Sequence, residues 1–148
     1  MNLTEQISEQ LKAAMKAKDQ ATLRSLRAIK SALMLLNTQG GNAPTAEDEM
    51  AALVKMAKQR KDSIALFVEQ GRDDLAKIEQ EELTVIEKFL PKQLSADEIK
   101  QEVQAIITQV GASGMKDMGK VMGVASGKLK GKADGKVIAD MVKQLLMS

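Results

Sequence analysis

"FLPKQLSADEI", residues 89–99, breaks the chain in two. Pro91 disfavours helix at Leu90, because its ring crowds the preceding backbone. Ser95 with Glu98 then forms a capping box: the serine accepts from a backbone N–H three residues on, and the glutamate reaches back. One helix therefore ends near Leu90 and the next begins after Ser95. On this reading the domains are residues 1–92 and 93–148.

Upstream of the break the apolar period is helical. Leu3, Ile7, Leu11 and Met15 step by four along a first helix. Asp19 can cap a second, with Leu23, Leu26, Ile29, Leu33 and Leu36 as its buried face. "GGNAP" (40–44) is a loop signal. Thr45 with Asp48 resembles a capping box with the shorter acid. It opens a long helix carrying Met50, Leu53, Val54, Ala57, Ile64, Phe67 and Val68, stopped by Gly71. Asp73 can start a fourth, through Ala76, Leu83, Ile86 and Leu90. Four amphipathic helices on short connections predict a helical bundle.

Downstream, Ile99, Val103, Ile106 and Val110 mark a fifth helix ending at Gly111. A sixth is expected over 116–129, with Met118, Val121, Met122, Ala125 and Leu129 inward. Asp134 caps a seventh through Val137, Ile138, Met141, Val142 and Leu145. The fold class predicted is all-α: an N-terminal bundle of four helices and a small C-terminal three-helix domain.

Composition removes whole classes of chemistry. With no cysteine and no histidine, there are no disulfides, thiolate or imidazole metal sites, cysteine nucleophiles or histidine-based acid–base devices. No metal site, cofactor or catalytic residue is assigned. The N-terminus is polar and acidic and no long apolar run occurs, so a soluble, cytoplasmic protein without membrane association is expected. Charge is unevenly placed. Residues 1–110 carry 15 Lys/Arg against 17 Asp/Glu, whereas residues 111–148 carry 7 Lys against 3 Asp. A basic tail on a near-neutral body suggests local contact with a polyanion. Phe67 and Phe89 are the only aromatics, so readout of single strands by stacking is disfavoured.

The basic tail is also glycine-rich. Glycines at 119, 123, 127, 131 and 135 recur every four residues, and four of the five precede a lysine. Such a face first suggests close packing against another helix. The alternative is approach by a phosphate backbone, with Lys116, Lys120, Lys128, Lys130, Lys132 and Lys136 beside Gly119, Gly123 and Gly131. Residues 114–121, "GMKDMGKV", imitate a phosphate loop. They lack the hydroxyl that would hold magnesium and follow a helix instead of a strand, so that reading is rejected. In the bundle, Arg24, Arg27 and Lys30 recur at three, and Glu79 and Glu82 share a face with Ala76, Leu83 and Ile86. Carboxylates so placed need partners. Arg27, Arg60 and Lys61 are the candidates for structural ion pairs with Glu79 and Glu82.

The run "KQRKDSI…GRDDLAKIEQEELTVIEKFLPKQLSADEI", followed by "DMGKVMG…LKGKADGKVIADMV", resembles the YqeY family, or GatB/YqeY-like proteins, over essentially the whole chain. From about residue 95 the chain is similar to the tail domain of the GatB subunit of the tRNA-dependent amidotransferase. The family motif falls on Lys58, Gln59, Arg60, Asp62, Ser63, Arg72, Asp74, Leu75, Glu79 and Glu82. In the tail it falls on Gly119, Lys120, Met122, Gly123 and Lys130 through Gly135. Gly127 stands where many relatives have proline, and Phe89 where others have tyrosine. The resemblance implies a helical bundle followed by a small helical domain that helps to hold tRNA. An accessory, non-catalytic tRNA-binding module is therefore expected, with an aminoacyl-tRNA synthetase or amidotransferase as a further partner. Two alternatives stand beside it. One is a protein–protein adaptor using the glycine face or Met115, Met118, Met122 and Met141. The other, inherited from the amidotransferase, is a carbon–nitrogen ligase with glutamine as amide donor.

Overall fold

The computed structural model describes residues 2–38 and 42–148. Among these it holds seven α-helices, one 3-10 turn and no strand, so the all-α expectation stands. The helices are α1 (Leu3–Ala17), α2 (Gln20–Thr38), α3 (Ala46–Glu69), α4 (Asp73–Glu87), α5 (Ala96–Val110), α6 (Met118–Lys128) and α7 (Gly135–Met147). The turn, Met115–Asp117, occupies the start of the predicted sixth helix. Gly40 and Gly41, read as a loop signal, lie outside the described residues. The chain divides into two compact units, Met1–Pro91 and Lys92–Ser148.

In the first unit α4 lies between α2 and α3, and α1 packs chiefly on α2. α2 also meets α3 directly, so these three helices pack on one another, and α1 joins them mainly through α2. Capping boxes at Asn2/Glu5 and Thr45/Asp48 satisfy the orphan amides of α1 and α3. Asp19 receives both the backbone N–H and the hydroxyl of Thr22, which hold its carboxyl below the usual range. Ile7, Leu23, Leu26, Ile29, Leu33, Leu53, Met56, Leu83 and Ile86 make the core.

Two predicted inward residues are instead exposed: Met15 by 60% and Val68 by 56%. A step of four residues advances about 40° around a helix. By Met15 the stripe begun at Leu3 has turned away, and Ala14 takes the buried place. Beyond Ile64 the α3–α4 hairpin leaves the core, exposing Leu66, Val68 and Ile78.

In the second unit α5, α6 and α7 each pack on the other two. Val103, Ile106, Val121, Ala125, Leu129, Ile138 and Val142 are 0–2% exposed at its centre. The Ser95/Glu98 capping box is complete, Gly111 ends α5 in the left-handed conformation at φ 68°, and Asp134 caps α7.

Candidate nucleic-acid interface

Leu129 is the anchor from which the basic loop is built. It is 1% exposed in the core, while Lys128, Lys130 and Lys132 on either side are exposed. The chain then turns through Gly131, whose φ of 76° is one that L side chains rarely adopt. The Lys132 N–H closes the turn on the Leu129 carbonyl at 2.9 Å. Two donors from the start of the unit hold it: Gln93 Nε2 donates to the Gly131 carbonyl at 2.7 Å, and the Leu94 N–H to the Lys132 carbonyl at 2.9 Å. Asp134 then accepts the Lys136 N–H and starts α7.

The glycine face of α6 looks outward. Gly119, Gly123 and Gly127 are exposed, and a Cβ built on any of them would meet nothing within 4 Å. This corrects the close-packing expectation. Val121, Ala125 and Leu129 supply the buried side, and the glycines fall roughly opposite them on a 3.6-residue turn. Met118, Met122 and Met141 pack against the core, leaving Met115, at 42%, as the exposed one of the four methionines named for an adaptor.

The six predicted lysines are all exposed, but they do not form one set. Lys120 Nζ donates to the Val110 carbonyl at 3.1 Å, and Lys128 Nζ lies 3.3 Å from Glu102. Both side chains sit on the flank of α6 that meets α5. Lys116 belongs to the 3-10 turn before α6, and Lys130, Lys132 and Lys136 follow its other end, roughly 16 Å along the axis. Lys116, Lys132 and Lys136 have no ion pair among the described residues. Sequence reasoning passed over Lys92, which is 86% exposed by side chain and precedes the two residues that clamp the loop. Its signal was its place in "LPKQL", beside the break.

The phosphate-loop imitation is placed as expected of a chance match: α5 is a helix, and Lys120 turns back to it.

In the first unit an ion-pair network joins α2, α3 and α4. Arg60 Nε lies 2.8 Å from Glu82 and 3.5 Å from Glu79; Arg24 lies 2.9 Å from Glu81 and 3.4 Å from Glu82. Arg60, Glu79 and Glu82 thus meet, whereas Arg27 and Lys61 are exposed and pair with no acid among the described residues. The angles explain it. Arg27 lies about 60° round from Arg24, toward the middle of the exposed side, and Lys61 lies about 100° past Arg60, away from α4. Lys58 pairs with Asp62, and Arg72 with Asp74, whose side-chain hydrogen bond holds the Asp74 carboxyl down. Among the described residues no three acids cluster as a metal site, and no helix is long and apolar enough to cross a membrane.

With this geometry in view, a family model described as "Yqey-like protein" matches residues 4–146. Three curated relatives share the printed name "Altered inheritance of mitochondria protein 41, mitochondrial". That of Clavispora lusitaniae is 36% identical over 105 residues, covering 70% of this chain and 61% of the relative. That of Meyerozyma guilliermondii is 30% identical over 131 residues, covering 82% and 67%. That of Candida glabrata is 32% identical over 123 residues, covering 76% and 64%. The chain spans about three fifths to two thirds of the length of these relatives. Their names correct the cytoplasmic expectation, since each is called mitochondrial. A polar composition reports an aqueous surrounding, and aqueous compartments do not differ in that respect.

Proposed function

The chain belongs to the YqeY family, and from that premise we propose that it is an accessory tRNA-binding module whose C-terminal unit docks on the phosphate backbone. The observation that carries this reading is the clamped loop of Lys130 and Lys132, followed by Lys136 and preceded by the bare glycine face of α6. A loop whose carbonyls are already bonded presents its ammonium groups without a large ordering cost on binding. A helix face without side chains lets a ribose–phosphate chain come close. The similarity of this unit to the GatB tail adds support. With Phe67 and Phe89 as the only rings and both in the first unit, recognition rests on phosphate contacts and RNA shape. On this reading the role is to hold RNA for a separate synthetase or amidotransferase.

Filter binding of bulk tRNA by the full chain at 50 to 200 mM salt tests this. Three or four phosphate contacts give a slope of log K against log salt of roughly −3. Lys132→Ala with Lys136→Ala should reduce its magnitude by roughly 1.5. Absence of binding at the lowest salt overturns the reading. So does a salt-insensitive association with protein that survives nuclease, which is the behaviour of an adaptor.

A further inference from the structure

The residues just after Pro91 are read most simply as a connection. Their bonds say more. Gln93 and Leu94 reach 38 residues along the chain to bond two successive carbonyls of the basic loop, Gly131 and Lys132. Leu94 is itself packed against the core of the unit, so the donor pair is held from behind. Gly131 is buried, and its left-handed turn directs backbone carbonyls toward these donors while Lys130 and Lys132 stay exposed. Lys92 comes immediately before the pair and is 86% exposed. Its nearest acid is Glu98, at 4.0 Å. The other oxygen of that carboxylate accepts the Ser95 N–H at 3.0 Å in the capping box. An exposed pair at such a distance contributes little, which leaves the Lys92 ammonium available.

We propose that Lys92 donates a further phosphate contact to the RNA-docking surface and that Gln93 is the positioning residue that sets the shape of its lysine loop. The inference rests on the RNA reading above. It makes the docking surface composite: one strand of it comes from residues 92–94 and the other from 130–136. Lys92 acts through charge, and Gln93 acts through the loop. The two therefore leave different marks on the salt dependence.

The experiment uses the full chain and bulk tRNA, with Lys132→Ala as reference and helix content checked at the binding temperature. Lys92→Ala should weaken binding and reduce the magnitude of the salt slope by roughly 0.7–0.9, as one lost phosphate contact does. Lys92→Arg should restore both. Gln93→Met keeps the length of the side chain without its donor. It should weaken binding several-fold with the slope unchanged, since no charge is lost. If Lys132→Ala reduces the slope while Lys92→Ala leaves slope and affinity as they were, the Lys92 contact is overturned and the RNA reading stands. Wild-type affinity in folded Gln93→Met overturns the positioning role. If Lys132→Ala also changes nothing, the RNA reading falls first and takes this proposal with it.

Discussion

Replacing Gly119, Gly123 and Gly127 together by alanine should make the protein more stable. All three sit in α6 with helical backbone, and a methyl group at any of them enters open space. Glycine in a helix interior is about 1 kcal/mol worse than alanine, because the unfolded chain loses more freedom. Gly123 is interior and should return that amount; Gly119 and Gly127, near the ends, should return about half each. The sum is about 2 kcal/mol, which raises Tm by about 10 °C for a unit of this size. Thermal melts followed by far-ultraviolet circular dichroism measure it. An unchanged or lower Tm would refute the reasoning, since it would mean that the glycine face packs on protein in the folded state. The same variant should bind tRNA less tightly despite its stability, because three methyls stand where the phosphate chain approaches. Undiminished affinity would remove the glycine face from the docking surface and leave the lysine loop.

Gly131→Ala should act in the opposite sense, destabilising by about 1–2 kcal/mol, because φ 76° strains any residue with a Cβ; urea denaturation reads this directly. Arg60→Ala should lose about 1–3 kcal/mol, since Glu82, 13% exposed, keeps only Arg24 and Glu79 loses the arginine it pairs with. Arg27→Ala should stay within about 0.5 kcal/mol of wild type, and equal losses would sink the pairing assigned here. Acid should destabilise the fold in a defined window. The Ser95 backbone N–H and hydroxyl, with Lys92, hold Glu98 below its usual range, and Thr22 and Arg72 do the same for Asp19 and Asp74. A carboxyl depressed in the folded state contributes stability that is complete above its unfolded pKa, about 4. That stability should hold down to about pH 5 and fall away below 4, through the folded values. Stability that rises on acidification would contradict it.

Helix type and order followed from the sequence because both depend on neighbours a few residues away. The Ser95/Glu98 and Thr45/Asp48 boxes, the stop at Gly111 and the cap at Asp134 are made within three or four residues, so local spacing is enough to place them. Charge and its concentration toward the C-terminus were equally legible, being counts. Which partner each side chain meets was not. Arg24 in place of Arg27 at Glu82 depends on how α2 is rotated against α4, and the mutual packing of α2, α3 and α4 depends on which faces met. The outward direction of the glycine face is hidden for the same reason: a four-residue spacing shows that glycines share a side but not what lies opposite it. Only the packed second unit brings Gln93 and Leu94 to a loop 38 residues away, and it sets Lys120 and Lys128 apart against α5. Contacts of that range are chosen by the whole set of apolar faces burying themselves together, and no single stretch of sequence encodes them.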